Sequence, residues 1–422
     1  MADARLTLPR LLRGVAVDLS ALRESRDYRL LVAGGFVSGL GTQVTLVALP
    51  FQVYVLTGSS FLVGLIGLAE LGPLVVVALL GGTLADRMDR RRLLLLAQLV
   101  MLATSAALAA GALAGSPPVW LLYLFAGIAA GASGVDRPAR AAMLPTMVGP
   151  DRLGPAISFN YGLFQLTMVV GPAIAGVVIA AAGLTWAYAL DVATFLAMLA
   201  AVAAIAPHPT PSEGPHEPFL AALRSGVRFA WRSGELMGSF AIDILAMTFG
   251  MPRALFPALS LTVYHAGPRG VGFLYAAVSA GAVAAAFSTG WMRRARRLGR
   301  IVVFAVAVWA VGIAFVGLTS SIWIGAACLA VAGAADSVSA VCRSTIVQAA
   351  SPDRMRGRMS AIFTLVVAGG PRLGDVESGT VAAAAGTRFS VVSGGVLCLV
   401  GILPVLAAFP AFWRYGEAGE EG

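Results

Sequence analysis

The chain has 422 residues, 58% of them apolar and only 12% charged, with a formal net charge of +9 and a mean hydropathy of +0.85. A soluble domain carries about 25% charged residues, so this composition excludes a water-soluble enzyme or binding module. The basic residues are all arginines, with no lysine, and they collect on alternate loops between apolar runs rather than on one stripe, which points away from nucleic acid.

Twelve apolar runs follow one another, each close to the roughly 20 residues needed to cross a bilayer. They fall near 30–55, 61–81, 93–114, 119–142, 155–181, 185–205, 236–263, 271–291, 301–319, 322–347, 359–384 and 388–411. Backbone groups in hydrocarbon must be satisfied internally, so the runs are predicted helices. The abundant Gly and Ala suit close helix–helix approach in a membrane. The expected fold is an all-α integral membrane protein, with twelve transmembrane helices in two pseudo-symmetric six-helix bundles. Its expected organisation is a tail at 1–26, a bundle at 27–205, a linker at 206–234, a bundle at 235–411 and a tail at 412–422. Residues 1–26 carry no cleavable leader pattern, and the first apolar run is too long for one.

Counted from a cytoplasmic start, the inner loops and inner span ends hold 19 arginines, including Arg137, Arg140, Arg343 and Arg358, while the outer loops hold Arg269 and Arg388. Positive charge resists translocation, so both termini are expected in the cytoplasm. Cys328, Cys342 and Cys398 all lie within spans, and their spacing suggests neither a disulfide nor a metal site.

Residues 207–218 contain five prolines and interrupt the apolar rhythm. Beyond them Leu220, Leu223, Val227 and Ala230 share one helical face and Arg224, Arg228 and Arg232 another, which predicts an amphipathic helix on the inner membrane surface. The halves on either side repeat one another. Gly149-Pro150-Asp151-Arg152-Leu153 matches Ser351-Pro352-Asp353-Arg354-Met355, and Gly171-Pro172 matches Gly370-Pro371. Two such halves place a substrate site near the bilayer midplane between them.

Between the second and third runs stands Gly82-Thr83-Leu84-Ala85-Asp86-Arg87-Met88-Asp89-Arg90-Arg91-Arg92. It resembles the signature turn of major facilitator superfamily transporters. The resemblance implies conformational roles for Gly82, Asp86, Arg87, Arg90 and Arg91, with Asp86 facing Gly357-Arg358 when the cavity opens outward. Asp89 stands where that signature often has glycine. Gly171 and Pro172 open Gly-Pro-Ala-Ile-Ala-Gly, which resembles part of the motif of antiporter-type facilitators.

Ionisable residues inside spans cost at least ~2.5–3.5 kcal/mol each and face a cavity or a partner. Glu70 and Asp336 are central, with no basic residue within four positions on their own helices. They are the first proton-coupling candidates, because a desolvated carboxyl suits proton exchange; Asp375 and Asp243 follow. Arg372 and Asp375 are three apart and can pair locally. Asp243 and Arg253 are ten apart, ~15 Å along a helix, and need partners elsewhere. Substrate-cavity candidates are Gln43, Asn160, Tyr161, Gln165, Tyr188, Arg253, Tyr275 and Arg372, with Phe36, Phe51, Phe164, Trp186 and Phe256 as aromatic faces.

Arg26-Asp27-Tyr28-Arg29, Ala48-Leu49-Pro50, the run from Met251 to Leu259 and the run from Val271 to Ala277 together resemble the branch of bacterial efflux proteins that contains the enterobactin exporter. The similarity runs from about residue 26 to 411. It implies a monomeric inner-membrane antiporter that exports an amphipathic organic molecule, a siderophore or drug, against protons, amid membrane lipid and without nucleic acid, metal or other cofactor. An importer or uniporter of the same fold is the first alternative. A dedicated anion importer should show a central arginine pair at matched depth in the two halves, and Arg253 and Arg372, both central, lie in the second. A non-transporting sensor or scaffold is the second alternative. No phosphate loop or nucleophile motif suggests an enzyme.

Overall fold

The computed structural model describes residues 20–87, 89–206, 219–287 and 295–416. The long helices of the first half are α1 (Arg26–Thr57), α2 (Ser60–Arg87), α3 (Arg90–Leu113), α4 (Val119–Met147), α5 (Pro150–Ala182) and α6 (Leu184–Ala203). Those of the second are α7 (Gly234–Phe249), α8 (Gly267–Phe287), α9 (Leu298–Leu318), α10 (Ile322–Ala349), α11 (Asp353–Ala385) and α12 (Thr387–Ala408). Some begin or end where the chain supplies a local reason. The Ser25 hydroxyl accepts from the Tyr28 N–H at the start of α1, and Gly58, at φ 63°, closes it in a left-handed turn that side chains resist. Asp89 caps α3 by accepting from the Arg92 N–H, which explains an acid at a position where the family signature often has glycine.

Eleven spans among the described residues are long and apolar enough to cross a membrane, α7 counting through Val263. The remaining long helix, α11, has 33 residues but carries charge throughout, including Arg372, Asp375 and Glu377.

Within the first half α1 packs on α5 and α6, α2 on α4, and α3 on α4 and α6; the second half repeats this with α7 on α11 and α12, α8 on α10, and α9 on α10 and α12. The halves meet chiefly through α2 with α11 and α5 with α8. At the arginine-rich end each half keeps its own core, one around Tyr28, Leu94 and Met143 and one around Phe240, Met355 and Met359. A third core joins both halves at the opposite end, from Val47 and Ile179 to Leu255 and Leu274, and continues within the second half to Val302 and Phe412. A cleft between the halves therefore opens at the arginine-rich end and is shut at the other.

Two elements differ from the sequence expectation. The seventh span is not one helix. It stops at Phe249, resumes as a 3-10 turn at Arg253–Leu255, and passes through a helical turn into a π turn at Leu259–Val263. Pro252 has no N–H to continue the ladder and restrains the residue before it. Gly250 is wedged against α9, where a Cβ would come 2.4 Å from the Trp309 indole nitrogen. The amphipathic helix forms at Phe219–Ala230, but its inner side seats on protein: Gly226 rests on Ile362 and Met359 of α11, and Arg358 donates to the Ser225 hydroxyl at 2.9 Å. Val227 and Trp231 remain exposed.

Candidate functional site

The shut end is built on glycines. A Cβ at Gly64 of α2 would lie 2.2 Å from the Asp375 carbonyl oxygen of α11, and one at Gly272 of α8 would lie 2.2 Å from the Pro172 carbonyl oxygen of α5. Backbone thus meets backbone at both contacts between the halves, the close approach that small residues permit in membranes. Gly171 and Pro172 belong to this closure, Gly171 lying against the Gln43 stem on α1.

Directly below the α2–α11 contact, Glu70 of α2 and Arg372 of α11 form an ion pair at 3.1 Å that joins the two halves, both side chains partly exposed. Arg372 also donates to its own helix at the Ala368 carbonyl. It does not pair with Asp375, the local arrangement that their spacing allows. Asp375 instead accepts from the Ala254 N–H at 3.1 Å, placing a carboxylate on the positive start of the resumed α7. Tyr275 donates to the Arg253 carbonyl at 3.3 Å and stands edge-on to Phe256, centroids 4.8 Å apart. The Glu70–Arg372 pair, the Asp375–Ala254 bond and the Tyr275–Arg253 bond thus bring α2, α7, α8 and α11 together here.

A second cluster lies between α7 and α10. Asp243 pairs with Arg343, and Arg343 reaches Asp336 at 3.7 Å. Asp243 and Arg343 are almost wholly buried, whereas Asp336 keeps 34% of its side chain accessible. Ser239, Ser339 and Asp243 each keep a buried oxygen with no partner. The first half has its own version on α4. Arg140 pairs with Asp136 at 2.9 Å and donates to Ser38 of α1, and Gln98 of α3 donates to Asp136 at 2.6 Å.

Arg137, Arg140 and Arg343, expected at inner span ends, belong to α4 and α10. Each sits inside a helix, and their spacing held a signal: Asp136 and Arg140 are one turn apart, and Asp336 and Arg343 two turns apart. Arg137 stands over the Phe164 ring at 5.5 Å.

The remaining cavity candidates divide. Tyr161 and Phe164 are exposed on the cleft stretch of α5. Asn160 accepts from Tyr28 at 3.4 Å, and Gln165 is half-buried. Gln43 is buried, and Tyr188 is wholly buried, donating to Gln52 at 2.7 Å inside the α1–α6 packing. Both lie away from the open cleft. Asp191 is caged by the hydroxyls of Thr45 and Ser105 at 2.6 Å each. In the signature turn, Arg90 donates to the Ala142 carbonyl of α4, and Arg91 caps the end of α6 at Val202 and Ala203. The side chains of Gly82, Asp86 and Arg87 lie outside the described residues.

Comparison with known proteins fits this arrangement. The enterobactin exporter EntS of Shigella boydii is 30% identical over 396 residues, covering 91% of this chain and 94% of that protein. The enterobactin exporter of Citrobacter koseri is 29% identical, covering 92% and 94%. Among solved structures, the nucleoside transporter NupG superposes with a TM-score of 0.74 at 12% identity, covering 91% of this chain and 100% of its own. A bacterial homologue of the lysosomal transporter Spinster, inward-facing and unoccupied, gives 0.72 at 15% identity, covering 92% and 97%. A sequence model of the family described as transmembrane secretion effector matches residues 17–413. The chain belongs to that family and is a major facilitator superfamily transporter.

Proposed function

We propose that the protein exports an amphipathic organic molecule, such as a siderophore or drug, across the bacterial inner membrane in exchange for protons. Its resemblance to enterobactin exporters supports the direction. The arginine asymmetry supports placing the arginine-rich end, and both termini, in the cytoplasm. The cleft then opens to the cytoplasm, where an exporter loads its cargo. The chain has no phosphate-binding loop for a nucleotide, so an ion gradient supplies the drive.

The observation that carries the coupling is the Glu70–Arg372 pair. It spans the halves at 3.1 Å just where their contact ends. A proton arriving on Glu70 cancels one charge of the pair and loosens α2 from α11. Asp375 and Arg253 stand beside it as the groups that redistribute charge, and Asp336 with Asp243 forms the neighbouring carboxylate set. Alternating access follows when the glycine contacts part and the arginine-rich ends close. The protein acts as a monomer in its lipid surround.

The test is efflux from proteoliposomes under an imposed pH gradient, with a panel of dyes, antibiotics and apo-siderophores. Substrate should move against its gradient only while protons run the opposite way, and Glu70→Gln should uncouple the two flows. Transport that ignores the pH gradient, or uptake together with protons, overturns antiport.

A further inference from the structure

The linker helix Phe219–Ala230 spends its apolar side on protein. Gly226 rests on Met359 and Ile362 of α11. Ala230 is buried with Leu236 and Phe240 of α7, and Leu223 and Phe229 pack around them. At about 100° per residue, the opposite side carries Arg224, Val227, Arg228, Trp231 and Arg232 within an arc of about 140°. All five are exposed, Trp231 by 70%. The Trp231 N–H still bonds the Val227 carbonyl at 3.0 Å, so this residue continues the helical count. The three arginines make no side-chain hydrogen bond or ion pair among the described residues. Residues 219–234 contain no acid. The acids that follow are occupied: Glu235 accepts from the Ser233 hydroxyl at 2.7 Å, and Asp353 at the start of α11 pairs with Arg356 at 2.8 Å.

The depth of the helix identifies what faces this stripe. Its seat, Met359 and Ile362, opens the apolar run of α11, and the turns just before it carry Asp353, Arg354, Arg356 and Arg358. Lipid headgroups lie where a spanning helix passes from charged to apolar residues, and tryptophan gathers at that level. Arginines clustered beside a spanning helix attract anionic lipid, and a guanidinium fork matches phosphate oxygens. We propose that this arginine–tryptophan stripe binds anionic phospholipid of the cytoplasmic leaflet. Arg224, Arg228 and Arg232 meet headgroup phosphates, and Trp231 with Val227 lies among the headgroups beside them. An amphipathic surface helix ordinarily sinks its apolar face into the bilayer. Here α7 and α11 occupy that face, so charge rather than depth holds the helix to lipid. A soluble polyanion would need only the arginines, and the exposed Trp231 at headgroup level favours lipid. Because Gly226 sits on α11, the lipid grips the second half directly.

The choice of leaflet rests on reading the arginine-rich end as cytoplasmic, and the test needs no transport. Full-length protein in phosphatidylcholine nanodiscs would receive brominated phosphatidylglycerol or brominated phosphatidylcholine at equal mole fractions. Bromine quenches nearby tryptophan, and the share of Trp231 is the difference between wild type and Trp231→Phe. Phosphatidylglycerol should be preferred at least about tenfold, as two or three arginines at a lipid surface imply. The double variant Arg224→Gln/Arg228→Gln should erase the preference and leave quenching by phosphatidylcholine unchanged. Lysine at both positions should keep most of it, and salt near 1 M should weaken it. Thermal melting of each variant separates lost binding from lost fold. Equal quenching by the two lipids, no quenching of Trp231 by either, or a preference that survives the glutamine variant overturns the proposal. A soluble oligonucleotide bound by the detergent-solubilised protein, with no lipid preference, overturns it in favour of a soluble polyanion. Lipid selectivity as stated without pH-driven efflux leaves this surface standing and removes only the antiport reading. Efflux with a lipid-indifferent stripe does the reverse.

Discussion

In the first half α1 runs unbroken from Arg26 to Thr57 although Pro50 lies inside it. Its counterpart α7 stops at Phe249 and continues in 3-10 and π turns. The polar partners differ in the same sense. Arg140 of α4 reaches a neutral serine on α1, whereas Arg343 of α10 reaches a carboxylate on α7. Duplicated packing has thus kept the scaffold in both halves and placed the broken backbone, and the fully buried ion pair between helices, in the second. Broken helices are where many transporters place their binding groups, so on the proposed reading the break in the second half faces Glu70 of the first.

The comparison breaks most readily at the contacts the halves share. Gly64→Val and Gly272→Val each push a side chain into backbone of the opposite half. Overpacking costs about 1–3 kcal/mol, a roughly 5- to 150-fold bias against the shut state. Both variants should lose transport in proteoliposomes and gain labelling of a cysteine introduced at the normally shut end. If only one does, the two contacts are not equivalent.

Buried charge gives the next largest difference. Arg343→Met strands Asp243 and Asp336 and should cost roughly 3–5 kcal/mol in detergent melts. Arg140→Met strands one acid that Gln98 still holds, and should cost about 1 kcal/mol. Equal losses would erase the asymmetry. Asp375→Ala removes the carboxylate from the resumed start of α7 and should cost about 1 kcal/mol, with hydrogen exchange rising at Ala254. Glu70→Gln, a partly exposed pair, should change melting least while flattening the pH dependence of transport.

Most of the architecture was legible in the sequence because a bilayer enforces long apolar runs and arginine-rich loops. The repeat at Gly171-Pro172 and Gly370-Pro371 exposed the two halves for the same reason. The break in α7 was less visible. A proline inside a run breaks α7 at Pro252 but not α1 at Pro50, and the difference rests on Trp309 and Asp375, which are distant in sequence. The Glu70–Arg372 pair is likewise a product of how the halves meet, which local spacing cannot report. Asp336 and Arg343 were within reach, since seven residues return nearly to the same helical face.

The seat of the Phe219–Ala230 helix has a mechanical consequence. With Gly226 locked on α11 and the Ala206 N–H held by Asp27 of α1, each end of the linker is moored to its own half. Only residues 207–218 are left to bridge them, a tether that can extend to about 40 Å at full stretch. Each half keeps its own mooring when the linker is cut, so a chain severed there and expressed as two pieces should still assemble and cycle.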